Sequence, residues 1–547
     1  MNDASVLPTN WSCTDCPKGA FCDGTPYFGV KAMFGFYRIP SDTIPNKFVK
    51  CLYRGACLGA PNSELEKRYK NKNESIDYAQ KSFPESCNTE MGFQTGSRQC
   101  HACGFGFRRL GRARCADCPR SSNNILLLCL GVVLVIVAIV FFIKMTVADA
   151  VSELLKNNFF KYIIFYSIID LVSLFFFCKQ YFSLYKNIIQ GRTKISESIQ
   201  KIIINYLQVI TIFAGFPLRW PKIMESLFDF QGSISTVGEH FLNPDCASNY
   251  SSAVELFYAK QIAYTLLPIV LSLVVWLTWH SISKCQKIEY GLRLNLLDTT
   301  PKDKFVVSLC VLIYLIYPTL CKQAFGLFNC IEVENGRYFL LADLEEECYQ
   351  PGKQHLLMAL TFGIFQIVFY VVGLPFLGVY FMFRNHHQLN KHVVRTRYGL
   401  FLGGYRDDRY YWEIFLVARK VIIIAISVFG TLVGVEVQTH IVSLFILLFM
   451  LAEAVGQPFD STSGDVDRFG TPRVRYKVLH QLEMISLFVI WVTLWCGMLI
   501  YRVEAVGGNL HVVLTVAVFS LNVLLMLFMA FKFIAEIVCK FLGFGYT

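Results

Sequence analysis

Six ionisable residues lie in or at the ends of long apolar runs, and they are the residues best suited to chemistry: Glu413, Arg419, Lys420, Glu453, His480 and Glu483. A charge inside a bilayer costs several kcal/mol unless it is paired or hydrated, so each needs a reason to be there. On one helix Glu413 and Lys420 are two turns apart and share a face, with Arg419 about 100° away. Such a set makes either an ion-pair network that couples the cytoplasmic loop to this span, or side chains that snorkel to an inner surface marked by Trp412 and the tyrosines before it. Glu453 sits deeper, and His480 and Glu483, spaced i, i+3, share a face that can reach it from the adjacent helix. The chemistry would be cation binding or a proton relay; the alternative is a polar cluster that fixes helix packing. His480-x-x-Glu483 also has metal-ligand spacing, but two ligands without companions define no metal centre.

The segment 323–354 carries Glu332, Glu334, Asp343, Glu345, Glu346 and Glu347 against little basic charge. It either concentrates cations at a nearby mouth, an effect that salt screens, or is a solvated loop without function. Cys330 and Cys348 are placed to bridge it, and Cys246 to pair with Cys321, one of the connectivities open to these cysteines. Elsewhere Arg384, Lys391, Arg395, Arg397, Arg406 and Arg409 interleave with Tyr398, Phe401, Tyr405 and Tyr410. That pattern grips anionic lipid headgroups or only sets topology. His386, His387 and His392 in the same loop are candidate pH sensors or merely solvated. Gln208, Gln366, Pro268, Pro318, Gly373 and Pro375 fall in or near spans, as hydrogen-bond partners, kinks or hinges.

The elements that must position these groups follow from hydropathy. Apolar residues make up 54% of the chain and charged ones 17%, more apolar than a soluble core of this size needs. Ten segments approach the length of a membrane span: near 125–143, 159–178, 203–218, 257–281, 304–322, 356–383, 413–433, 439–457, 480–501 and 511–537. Loops rich in Lys and Arg, among them those with Lys284 to Lys304, Arg384 to Arg409 and Arg468 to Lys477, belong in the cytoplasm. Loops 219–256 and 323–354 then lie outside. Parity allows only two crossings between an outer cysteine-rich head and loop 219–256, so 146–200 is expected to be cytoplasmic, with 159–185, around Asp170 and its flanking lysines, an interfacial or re-entrant helix; the alternative, a true span at 159–178, puts the head in the cytosol. The expected fold is an all-α polytopic membrane protein of about nine spans, head outside and tail inside. Its parts are a cysteine-rich domain over 1–122, a first span with an interfacial segment over 123–200, and a transmembrane domain over 201–547. The formal charge of +11 resides in loops between spans and is no nucleic-acid signal.

Ten of the 20 cysteines precede residue 120: Cys13, Cys16, Cys22, Cys51, Cys57, Cys87, Cys100, Cys103, Cys115 and Cys118. With few large aliphatics between them, CTDCPKGAFC and CHACGFGFRRLGRARCADCP need cross-links, either disulfides in an oxidising compartment or zinc on CxxC turns. Sequons at Asn10, Asn73 and Asn249 fit glycosylated exoplasmic loops. MNDASVLPTNWSC has no basic n-region and no apolar h-region, so the expectation is an N-terminus further upstream, or a first span that acts as signal anchor.

Residues 10–30 and 98–120 resemble the ephrin-receptor-like, growth-factor-like cysteine repeats that precede membrane domains in protist surface proteins; 31–97 match no such repeat. KIIINYLQVITIFAGFPLRWP (Lys201 to Pro221), LIYPTLCKQAFGLFNC (Leu315 to Cys330) and YGLFLGGYRDDRYYWEIFLVARK (Tyr398 to Lys420) together resemble the TRP-like (transient-receptor-potential-like) membrane domain of fungi and protists, over roughly 201–540. The resemblance implies a polytopic cation channel, or a protein of that lineage without a settled transport role; Ca2+, Na+ or K+ would be the permeant ions, and no cofactor is expected beyond bound lipids. Arg502 to Asn509 and Gly434 to Gln438 are too short for a pore helix and filter, so any pore is lined by helices or built differently.

No Walker loop, HExxH, G-x-S-x-G or dinucleotide fingerprint is present, so no enzyme is expected. The leading expectation is a cation-permeable channel of the plasma membrane or an endomembrane whose head senses ligand, force or lipid. The alternatives are a lipid scramblase or small-solute transporter, and a non-conducting surface receptor with an extracellular ligand or matrix partner. A homo-oligomer fits a pore on a symmetry axis, and a pore within each subunit is equally open.

Overall fold

The computed structural model describes residues 15–22, 30–39, 47–62, 85–110, 114–118, 195–216, 218, 220–235, 253–289, 301–334, 336–385, 409–430, 433–459, 477–503 and 510–541, with Leu65, His387, Phe401 and Tyr405. The segments expected at 125–143 and 159–178 lie outside these residues, as do Cys13, Cys246, Lys391, Arg395, Arg397, Arg406 and the sequons at Asn10, Asn73 and Asn249. The chain divides into two compact units: Met1–Cys129, Asn243–Ala263 and Gln323–Phe365 form one, and Leu130–Leu242, Tyr264–Lys322 and Gln366–Thr547 the other.

In the first unit the cysteine-rich head folds as three antiparallel ribbons. They are β1 (Ala20–Phe21) with β2 (Lys31–Ala32), β3 (Phe36–Arg38) with β4 (Phe48–Lys50), and β5 (Phe107–Leu110) with β6 (Arg114–Asp117). Isolated two-stranded ribbons are marginal in water, and disulfides Cys16–Cys22, Cys51–Cys57, Cys87–Cys100 and Cys103–Cys115 hold these together. Cys118 is also disulfide-bonded, so the described head cysteines are cross-links and not thiolate ligands. The acidic segment is a three-stranded antiparallel sheet of β7 (Cys330–Glu334), β8 (Arg337–Leu340) and β9 (Asp343–Glu347), closed by the Cys330–Cys348 disulfide. Val333, Phe339 and Leu344 fill its buried face.

The helices, in chain order, are α1 (Ile195–Ala214), α2 (Lys222–Ser235), α3 (Ala253–Glu289), α4 (Pro301–Gly326), α5 (Gln354–Met358), α6 (Leu374–Asn385), α7 (Trp412–Phe429), α8 (Val435–Gly456), α9 (Lys477–Val503) and α10 (Leu510–Phe541). Between α5 and α6 the backbone is π-helical at Ala359–Gly363 and Gln366–Gly373. Among the described residues six stretches are long and apolar enough to cross a membrane: Ala253–Ser281, Lys302–Gly326, Gln354–Arg384, Val435–Gly456, Val478–Arg502 and Leu510–Ala535. The apolar part of α1, Ser198–Ala214, is shorter, and the 18 residues of α7 carry Glu413, Arg419 and Lys420. Leu266, Ile269, Val270, Leu273, Trp276 and Leu277 of α3 are exposed together, an apolar band suited to lipid and not to water.

In the second unit α1 lies in the main core, packed by α2, α7, α9 and α10. Two features differ from the expectations. The stretch 219–256, expected as an outer loop, contains α2, whose Met224, Leu227, Phe228 and Gln231 recur at helical spacing and are buried. Cys321, expected to pair with Cys246, carries a free thiol buried on α4.

Close helix approaches depend on glycine. A Cβ on Gly456 would come within 2.1 Å of the Trp412 ring. Gly456→Ala therefore pushes the indole aside, and we expect a loss of about 1–3 kcal/mol, the usual penalty of overpacking, read as a lower unfolding temperature in detergent with altered tryptophan fluorescence.

Candidate functional site

Four helices bring six charged side chains together inside the second unit: Lys201 from α1, Glu413, Arg419 and Lys420 from α7, Glu453 from α8 and Glu483 from α9; a fifth, α4, sets Tyr314 beside them. Each of the six is 2% exposed or less. Lys201 forms an ion pair with Glu413, whose Oε2 also accepts a hydrogen bond from the Tyr405 hydroxyl at 2.9 Å. The Lys201 ammonium lies 4.1 Å from the centre of the Tyr405 ring. Arg419 Nη1 donates to Glu483 Oε1 at 2.8 Å. Trp412 Nε1 donates to Glu453 Oε2 at 2.9 Å, and His480 Nδ1 lies 4.0 Å from Glu453 Oε1. The Lys420 ammonium sits 4.3 Å from the centre of the Tyr314 ring, whose hydroxyl donates to Asn205 Oδ1 at 2.5 Å.

Three cations face three carboxylates, so the cluster can be neutral as a whole while its pairs differ. Glu413 is matched by Lys201 and Glu483 by Arg419. Among the described residues Lys420 has no carboxylate within 4 Å and Glu453 no Lys or Arg. Glu413 Oε1, Glu453 Oε1 and Glu483 Oε2 accept no hydrogen bond from the described protein atoms. Desolvating this many charges is costly, and such networks are weak contributors to stability compared with an apolar core. Their strength is geometric: five helices are registered to one another by directional contacts.

The structure brings together all six ionisable residues singled out in the sequence, with a different pairing. Glu483 turns to Arg419, and His480 is the α9 residue at Glu453. Lys201 is not among the residues singled out in the sequence; its place within the helical pattern of KIIINYLQVI is the available signal. Tyr314 and Asn205 had none beyond being polar in an apolar run. Asn522 makes a second buried polar node: it accepts from the Tyr206 hydroxyl at 2.6 Å and donates to Thr493 Oγ1 at 2.9 Å.

The acidic sheet in the first unit is not a bare anionic surface. Arg337 and Lys353 both bond Glu347 and hold its carboxyl down at about 2. Glu346 accepts from the Tyr258 hydroxyl at 3.3 Å and the His355 N–H at 3.2 Å. Glu332 caps the Gly336 turn, and Asp343 accepts the Glu345 N–H. Glu334 lies on β7, paired with Arg337 in the register. The head docks on this sheet: the Arg98 N–H donates to Glu345 Oε1 at 2.7 Å, and its guanidinium stacks 4.2 Å from the Phe339 ring centre. Of the basic residues assigned to lipid headgroups, Arg384 bonds the Tyr380 hydroxyl and Arg409 the Tyr411 hydroxyl.

His101 is the buried contact of that dock. Its Nε2 lies 2.7 Å from the Leu341 carbonyl, and Arg109 Nη1 lies against the same ring, 2.8 Å from Nε2 and 3.2 Å from Nδ1. Burial and the Arg109 charge push the imidazole well below its ordinary 6.5. The unfolded chain thus binds a proton that the docked head refuses, and stability falls as pH drops below about 6.5. Amide protection factors of residues 98–103 and 339–345, corrected for the intrinsic pH dependence of exchange, are expected to be higher at pH 7.5 than at pH 5, with His101→Gln removing this difference.

These features define a helical membrane protein with a disulfide-rich region, and the disulfides suggest that this region is exoplasmic. The chain is similar to Cysteine repeat modular protein A of Toxoplasma gondii, with 22% identity over 409 residues, which cover 63% of this chain and 12% of that protein. The cysteine-rich head agrees with that name. No family model matches the chain, and no solved structure does.

Proposed function

We propose that this chain is a subunit of a cation-permeable channel of the TRP-like kind, with nine spans, an exoplasmic head and a cytoplasmic C-terminus, in which the buried ion-pair network serves as the gate. The observation that carries this reading is the network itself: six buried charges join α1, α7, α8 and α9, where packing alone would use apolar residues. Charges retained at such cost are commonly functional in membrane helices. The orientation draws support from the head and the β7–β9 sheet sharing one unit, as two exoplasmic parts would. The permeant ions are Ca2+, Na+ or K+, the path is lined by helices, and the subunits form a homo-oligomer.

A second reading rests on the docked head. Arg98 and His101 hold it to the sheet that connects α4 with α5, the arrangement a surface receptor needs to pass ligand binding on to its spans. The channel reading is tested by ion flux from proteoliposomes holding the purified chain. We expect cation flux above that of empty vesicles, altered by Glu413→Gln. Vesicles silent under tension, calcium and anionic lipids would contradict it and leave the receptor reading, which binding of an extracellular ligand to the head then tests.

A further inference from the structure

We propose that Glu453 and His480 form a proton-uptake site through which solvent protons reach the buried network, so that the ion this part of the channel takes up is a proton. The inference rests on the channel reading above and narrows its ion at this site.

Glu453 is the acid of the network whose charge no fixed cation holds. Glu413 has Lys201 and Glu483 has Arg419, whereas Glu453 has a neutral indole N–H on Oε2 and the titratable His480 facing Oε1. The residue is 2% exposed, and neither Glu453 Oε1 nor His480 Nδ1 has a hydrogen-bond partner among the described residues. Their 4.0 Å separation is too long for a direct bond, so the proposed transfer runs through an intervening solvent molecule. The His480 side chain is 25% exposed while its Nδ1 is buried, so the pair runs from the protein surface inward to the network. Among the described residues the groups that bear on Glu453 are Trp412 and Arg419 from α7 and His480 and Glu483 from α9; His480 is faced by Glu453 and Glu483.

Among the described residues the site is poor in metal ligands: Ca2+ needs six to eight oxygens and Mg2+ an octahedron, while the unbonded atoms here are Glu453 Oε1, His480 Nδ1 and Glu483 Oε2, with the Arg419 charge bearing on the two carboxylates. A proton needs one lone pair at each stage. The step balances without a further reactant: the His480 imidazolium gives its Nδ1 proton to a solvent water, which passes one of its own protons to Glu453 Oε1. The imidazole is left neutral, the carboxylate becomes the acid, and the water is restored. Bulk hydronium then reprotonates His480.

The test is proton flux into proteoliposomes that hold the full chain and trapped pyranine, driven by a potassium diffusion potential, with sodium flux recorded in parallel. We expect wild type to move protons faster than empty vesicles, and Glu453→Gln and His480→Gln each to lower that rate by at least about tenfold, the scale of a lost proton carrier. Glu453→Gln keeps an oxygen for the Trp412 N–H; if it does not fold, the partly exposed His480→Gln carries the test. Proton flux unchanged in His480→Gln, or wild-type proton flux equal to that of empty vesicles, overturns the inference, and sodium flux in the same vesicles then leaves the channel reading standing. Proton flux lost in the variants, with no sodium flux in any vesicle, supports the site and overturns the cation channel instead.

Discussion

Arg419→Met lowers the stability of the helical unit by roughly 3–5 kcal/mol, because it leaves Glu483 buried at 1% exposure without its guanidinium. The double variant Arg419→Met, Glu483→Leu removes both charges and recovers most of that loss, or exceeds wild type, since an apolar pair avoids the desolvation of two ions. Thermal unfolding of the four proteins in detergent closes the cycle, and the coupling between the two positions is the quantity to read. Additive losses would mean that the 2.8 Å contact contributes nothing specific. A double variant that is stable yet does not conduct would separate the network's role in function from its role in folding.

Cys330→Ala with Cys348→Ala opens a loop closed across a sequence separation of 18, and loop entropy alone puts the loss at roughly 3 kcal/mol. The loss falls on the first unit, because the disulfide joins the first strand of the sheet to the residue after its last strand and the head docks on that sheet through Arg98 and His101. Limited proteolysis should cut within 330–348 and within the undocked head in the double variant, while wild type resists. Cys321→Ala is the contrast: its thiol is free, so non-reducing peptide maps of that variant should keep every disulfide of wild type.

What the sequence made legible follows the range of the forces involved. Glu413, Arg419, Lys420, Glu453, His480 and Glu483 stood out because a charge in an apolar run is expensive wherever it ends up, and all six converge. Their pairing was hidden, since it depends on which helix faces which. Lys201 illustrates the limit: at the basic start of a span it reads as a topology signal, and only the packing of α7 and α9 against α1 makes it a buried partner. The acidic segment read as a surface because Arg337 and Lys353 are few, yet in the folded sheet both reach Glu347. The cysteine-rich head was legible as a disulfide scaffold from composition. Its dock on residues 339–345 joins segments some 240 positions apart and left no local trace. For α2 the signal was present, in the helical spacing of Met224, Leu227, Phe228 and Gln231, and a low basic charge suggested a loop instead.

The most direct test of a gating network is cation flux from proteoliposomes of wild type, Arg419→Glu, Glu483→Arg and the double exchange, each with its unfolding temperature. The account predicts that both single variants lose regulated flux, conducting either nothing or without a stimulus, and that the exchange, which rebuilds one ion pair in reverse, restores it. Single variants that fold and conduct as wild type does would contradict it.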